Sequence, residues 1–361
     1  MKILEKYVCK TYVSAFLGCV VLLMVLGVIG DILGFLDDIF RNNIPLMSIL
    51  KFYLFFTPFA FVNMMPFACL LSTVFVFNNL SKNNEMTAII TSGLSIWNIL
   101  KPVVTVTFIL CLCTFIVNEI LVPRTMAKAS IIRQEELETS EDKKKIVENI
   151  AVYGKDDFLI FARGYDPARK KLENIIIHHQ NKERDITEKI VAERAVWDKN
   201  GFWTGQNVMV FRRTEDGDFS MDPEVHKTMR LTISEKPSDF LNTQWDPRLM
   251  SFKQLKKYVD VLGATSPLAV RRLSVDLNYK FSFPFTAMVT VLVGIPFCIT
   301  TSRSNVLIGM AKGIAAGMMY LPVTALVLAL GKGGSLSPFA AAWLSNVVFI
   351  SLGVYFINKR S

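Results

Sequence analysis

The chain has 361 residues, 52% of them hydrophobic and 20% charged, with a formal net charge of +9. Its apolar residues stand in blocks of roughly 20 or more, the length a helix needs to cross a ~30 Å hydrocarbon core, which excludes an ordinary soluble domain. The basic excess lies mostly in short loops between blocks, while Arg124 to Arg272 is nearly balanced; this pattern orients helices in a membrane and argues against nucleic acid as a partner.

Residues 1–11 place Lys2, Lys6 and Lys10 around Ile3, Leu4, Tyr7 and Val8, and read as a short amphipathic helix on a membrane surface. A first span is predicted from Tyr12 to Leu36. It is too long for a signal peptide, and Asp31, Asp37 and Asp38 stand where a small-residue cleavage site would. The second span, Ser48–Phe77, carries Pro58 and Pro66, which predict a kinked or tilted helix. The third runs from Pro102 to Val122. Hydropathy then collapses until Arg272, and three more spans follow at Leu273–Ile299, Val306–Leu330 and Pro338–Ile357. The predicted division is a membrane half at 1–122, an inserted domain at 123–272 and a second membrane half at 273–361.

Placing the N-terminus inside gathers Lys2, Lys6, Lys10, Lys82, Lys101, Arg303, Lys312, Lys359 and Arg360 on the cytoplasmic side. The opposite short loops hold Arg41, Lys51 and Lys332. This asymmetry predicts an inner-membrane protein with both termini cytoplasmic and the inserted domain exported.

Within that domain, residues 124–147 favour helix and either extend the third span or form a linker. From Asn149 the texture turns to short β-rich runs: Ile150–Tyr153, Phe158–Phe161, Ile175–His178, Val191–Trp197 and Phe202–Phe211, each closed by turn residues. A charged helix at Ser251–Val261 leads back to the membrane. The fold class expected is a polytopic α-helical membrane protein of six transmembrane helices with an inserted all-β, jelly-roll-like domain. Cys9, Cys19, Cys69, Cys111, Cys113 and Cys298 all lie outside residues 114–297, so that domain is expected to lack a disulfide.

Chemical motifs are sparse. Gly331-Lys332-Gly333-Gly334-Ser335 has the letters of a phosphate-binding loop without its spacing. His178 and His179 are neighbours on a strand and point to opposite faces, so a shared metal is not expected, nor is any cofactor bound by this chain. Asp31 and Glu119 lie near the outer ends of their spans, and Asp276 is expected to pair with Lys280 at i, i+4. No ladder of acids crosses the bilayer, which argues against an ion-driven transporter.

The loop between the second and third spans carries more information. Glu85 to Ser92 can form a short helix stopped by Gly93, with Glu85 favourably placed at its N-terminal end and Met86, Ile89 and Ile90 forming an apolar stripe. Such a helix either lies on lipid headgroups or docks in a partner's groove.

Several local segments agree with a known family. Leu4-Glu5-Lys6-Tyr7-Val8, Asn84-Glu85 through Ser92-Gly93, Ile120-Leu121-Val122-Pro123, and Pro296 with Ser302-Arg303-Ser304 together resemble the LptF/LptG family of lipopolysaccharide-export permeases. The order of parts resembles it too. The opening and the helix at Phe252–Val261 lean towards the LptG side. The resemblance implies a non-catalytic half of an ABC transporter, paired with a second LptF/LptG-type permease as a heterodimer. It implies a cytoplasmic LptB ATPase dimer, which would use the ATP and Mg, gripping the coupling helix at Glu85, Met86, Ile89, Ile90 and Gly93. Lipopolysaccharide would leave the outer leaflet through gates lined by the first and fifth spans and pass to the periplasmic bridge proteins LptC and LptA. Arg41, Arg124, Lys128 and Arg133 fall at the outer headgroup level, where each is either a phosphate contact or an interfacial anchor, and Arg133 matches a family position for lipopolysaccharide. Where the family often has Lys near the outer end of the first span, this chain has Gly34. The competing reading is a membrane-anchored envelope scaffold whose β-domain binds a partner without transport.

Overall fold

A computed structural model describes residues 2–34, 36–41, 44–93, 95–133, 147–153, 158–167, 169–180, 186–198, 201–213, 223–231, 233, 235, 237, 249–262, 267–298 and 306–360. Among them, six helices are long and apolar enough to cross a membrane. The chain divides into two compact units, one of residues 1–36, 51–129 and 247–361 and the other of residues 37–50 and 130–246.

The helices are α1 (Lys2–Gly34), α2 (Leu36–Arg41), α3 (Leu46–Lys82), α4 (Glu85–Thr91), α5 (Ile96–Ile116), α6 (Val122–Ile132), α7 (Phe252–Leu262), α8 (Pro267–Ser282), α9 (Thr286–Cys298), α10 (Val306–Gly333) and α11 (Pro338–Arg360). The expected break between a surface helix and the first span is absent. Nothing between Lys10 and Tyr12 interrupts helical hydrogen bonding, and Val8, Tyr12 and Phe16 continue one buried line at i, i+4 and i+8. The third span also runs on: α5 passes through a π-helical turn, Val117–Leu121, into α6. Pro123 accounts for that turn. Its ring would clash with the carbonyl of Glu119, and the wider i→i+5 turn, with Val122 N–H donating to Val117 O, makes room. Likewise α8 and α9 meet through a 3₁₀ turn, Phe283–Phe285, built on Pro284.

One core unites the start of α1 with α3, α4, α5, α9 and α11: Val8, Tyr12 and Phe16 meet Phe77, Leu80, Met86, Ile99, Leu100, Val291 and Ile357. Around Leu70 the helices approach closely enough that a Cβ on Gly294 or Gly317 would stand 2.7 or 2.6 Å from its methyl groups.

The second unit holds a six-stranded antiparallel sheet of β1 (Val147–Tyr153), β2 (Phe158–Asp166), β3 (Lys171–Gln180), β4 (Ile186–Trp197), β5 (Trp203–Arg212) and β6 (Glu224–Leu231) in the order β1-β2-β3-β4-β5-β6. The antiparallel β character is as expected; the connectivity of these strands is a simple meander, without the crossovers of a Greek key. Ile160, Ile177, Ile190 and Val210 stand side by side across β2–β5 and are all buried. Buried positions should recur every two residues, yet they step by three from Leu172 to Ile175 and from Gly205 to Val208. Asn174 and Asn207, at φ of 50° and 51°, sit in those gaps; each takes the left-handed conformation that Asn tolerates and re-aims its strand. Beyond this bend Trp203 is fully buried, stacks edge-on with Trp197 and Tyr165, and donates from Nε1 to Glu235 O at 2.9 Å.

The linker after Arg133, the turns at Gly154–Asp157, Asn181-Lys182 and Glu215–Asp218, and Ser302-Arg303-Ser304 lie outside the described residues, as do the side chains of Arg41 and Ile90.

Candidate functional site

The helix α4 is built by its flanks. Asn84, at φ 60°, turns the chain out of α3, and Gly93, at φ 75°, ends the segment in the left-handed conformation that glycine adopts without steric cost. Ser92 Oγ donates to Ile89 O at 2.7 Å and Thr91 Oγ1 to Thr87 O at 3.0 Å, satisfying carbonyls of the last turn. Ser95 then caps α5 by accepting from Trp97 N at 3.3 Å, and Trp97 Nε1 donates to Asn358 Oδ1 at 2.9 Å, tying α5 to the end of α11.

Glu85 opens α4 half-buried. Its Oε1 accepts from Asn83 Nδ2 at 3.3 Å and from Tyr7 Oη at 3.5 Å. Met86 is fully buried in the core shared with Val8 and Leu80, and Ile89 packs partly against the same core. Of the apolar stripe read from the sequence, Met86 and Ile89 therefore face this chain's own helices. Among the described residues, Ala88 and Thr91 are exposed on α4, followed by Ser92 and Gly93.

Of the four cations, Arg124 and Lys128 are exposed on α6 at i, i+4, and Lys128 Nζ lies 5.4 Å from the centre of the Phe55 ring. Arg133 is exposed one residue past α6, and Arg41 closes α2.

Several ionisable residues of the spans are held by specific partners. Asp31 Oδ2 accepts from Tyr53 Oη at 2.8 Å. Glu119 accepts from Phe252 N with both oxygens, at 2.7 and 2.9 Å, and so caps α7 from the π turn. The expected Asp276–Lys280 pair does not form. Asp276 pairs instead with Lys332 at 2.6 Å, and Lys280 donates to the carbonyl of Met250. Arg271 donates to the carbonyls of Gly334 and Leu336, so the turn between α10 and α11 is bound to α8 by two cations and one acid. The acid–cation match was open to sequence reasoning only as a local i, i+4 pair; its real partner lies 56 positions away.

In the β-sheet, burial with the nearby Lys189 charge pushes the His178 pKa down to about 4, and burial with the Asp166 charge pushes Tyr165 up to about 12. Lys171 hydrogen-bonds Glu173 at 2.7 Å and holds its carboxyl below the usual range.

No curated protein matches the chain. Residues 6–359 match the family described as lipopolysaccharide export system permease LptF/LptG. Six apolar helices and an antiparallel sheet agree with a polytopic permease of that kind. Because the match runs from the first turns of α1 to the end of α11, the chain belongs to the LptF/LptG family of lipopolysaccharide export system permeases.

Proposed function

We propose that this chain is one of two permease subunits of an ATP-driven exporter that extracts lipopolysaccharide from the outer leaflet of the inner membrane and hands it to a periplasmic bridge. The observation that carries the reading is the family match over residues 6–359. The two membrane halves, 1–122 and 273–361, line a cavity shared with a second permease of the same family. Residues 123–272 lie in the periplasm and meet LptC and LptA, and both termini are cytoplasmic.

Energy comes from a cytoplasmic LptB dimer that grips the loop from Glu85 to Gly93. Two features support this. Glu85 stands at the start of a helix bracketed by left-handed turns at Asn84 and Gly93, and Ala88, Thr91 and Ser92 are exposed. Met86 and Ile89 seat the helix so that force applied to it enters the core rather than a loose loop. Arg124, Lys128, Arg133 and Arg41 supply cations for the phosphates of the glycolipid.

The test is co-purification of the ATPase with the assembled complex. Glu85→Lys is expected to abolish it; undiminished capture and ATP-coupled transport would overturn the docking assignment. Photocrosslinking from position 133 is expected to give lipopolysaccharide adducts, and their absence favours the scaffold reading.

A further inference from the structure

The chain leaves the helical unit after Ala129 and returns to it at Pro247, with the β-sheet in between. On its return, α7 is started by its own residues. Ser251 N donates to Gln254 Oε1 at 2.8 Å and Gln254 N donates to Ser251 Oγ at 3.3 Å, a reciprocal cap of the first turn. Phe252 N, in the same turn, goes instead to both oxygens of Glu119, at 2.7 and 2.9 Å. From α8, the buried Lys280 donates to the carbonyl of Met250. The Phe252 ring stands edge-on to Phe281 at 4.9 Å, and Phe281 stacks on Phe115 of α5 at 5.7 Å. An acid from the π turn, a lysine from α8 and two rings thus converge on Met250–Phe252, just after the chain returns, and the acid itself stands shortly before the point where the chain leaves.

We propose that Glu119 is a positioning residue for the handover of substrate: it clamps the outgoing and returning stretches of chain to one another, so that a change in the spans reaches both connections of the β-sheet unit together. Three observations carry this. The Ser251–Gln254 cap already starts α7, so the bond from Glu119 is not what forms the helix; it sets where the helix begins in the fold. A carboxylate near the end of a span is costly to keep, and this one is spent on a donor 133 positions away, at the positive end of a helix. It also stands in the middle of the one turn that Pro123 widens, so the irregularity of the third span and the clamp occupy the same residues. The inference rests on the permease reading and deepens it, since it names a residue that would tie the membrane body to delivery.

The test uses the full chain, assembled with its partner permease and the ATPase in proteoliposomes loaded with lipopolysaccharide, with a soluble bridge protein as acceptor. Two quantities are read: deuterium exchange of the segment around Phe252, and lipopolysaccharide delivered per ATP hydrolysed. Glu119→Leu is expected to speed the exchange about tenfold, as loss of a bond to a charged group implies, and to lower delivery per ATP about threefold. ATPase capture and the rate of hydrolysis are expected to stay at parent values. Glu119→Gln, which keeps one acceptor oxygen, is expected to remain within about twofold of the parent in both readings. Lys280→Met, on the other side of the clamp, should give the same split as Glu119→Leu, so the test does not hang on one variant. Parent-like exchange in Glu119→Leu overturns the clamp. Faster exchange with unchanged delivery per ATP overturns its part in handover, and a matching fall in capture, hydrolysis and delivery reduces Glu119 to a stabilising residue and overturns the positioning role. Each of these results leaves the permease reading standing, because that reading is judged by ATPase capture in the parent complex.

Discussion

Tyr7 Oη lies 3.5 Å from Glu85 Oε1, joining the first turns of α1 to the first residue of α4 across 78 positions of sequence. Met86 and Val8, the next residues along each helix, belong to one buried core. The two helices thus share one hydrogen bond and one core, a route by which a push on α4 would reach the base of α1. Tyr7→Phe removes the hydroxyl and keeps the ring. It is expected to lower ATP-coupled transport about two- to threefold, in line with one exposed hydrogen bond, while protein yield and melting temperature stay at parent values. Transport assays in proteoliposomes check this, and a loss as complete as that of Glu85→Lys would show that the hydroxyl does more than orient the carboxylate.

Met86 is expected to behave as a core residue. Met86→Ala leaves a cavity beside Val8 and Leu80 and should cost about 2 kcal/mol or more of stability. Ser92→Ala, on the exposed side of the same segment, should stay within about 0.5 kcal/mol. Thermal unfolding of the two variants separates them; equal melting temperatures would mean that Met86 is not held as described.

The Asp276–Lys332 pair binds the end of α10 to α8, and Lys332 also sits favourably at a helix C-terminus. Asp276→Asn and Lys332→Met each strip one partner from a part-buried pair. A double-mutant cycle by thermal unfolding is expected to give a coupling of about 1 kcal/mol. The charge swap, Asp276→Lys with Lys332→Asp, should recover only part of it, because an anion then faces the negative end of the α10 dipole. Zero coupling would make the pair incidental.

His178 gives the β-sheet a dependence on pH. Its folded pKa is about 4 against an ordinary 6.5, so the unfolded chain binds the extra proton between those values and stability falls as pH drops through that window. From pH 7 to pH 5 the loss should be on the order of 2 kcal/mol, levelling off below pH 4. Hydrogen exchange of β3 and β4 in the full chain at the two pH values reads this, and His178→Leu should flatten the difference. A slope that survives the substitution assigns the effect to another group.

How much of this was legible in the sequence depends on range. The six spans were, because apolar blocks of that length have few other uses. Their ends were placed short, since α1 begins at Lys2 and α3 reaches Lys82: a helix continues through Lys, Asn and Ser once its apolar part has nucleated it. Strand β6, Glu-Val-His-Lys-Thr-Met-Arg-Leu, is hard to read because both its faces are largely exposed and Lys227 interrupts the apolar alternation of Val225, Met229 and Leu231. The stripe on α4 was visible, but periodicity tells which face is apolar and not whose core it meets. Asp276 was matched to the cation four residues away, since nothing local reveals that the turn after α10 folds back onto α8.

The single widened turn at Val117–Leu121 has a consequence for everything beyond it. One residue added to a helical turn advances all later side chains by about 100° around the axis. Lys128 reaches the Phe55 ring, and Arg124 faces the same way, because that extra step was taken below them. A proline at position 123 thus sets the compass bearing of two cations further along, and a relative lacking the proline would aim the same residues at different neighbours.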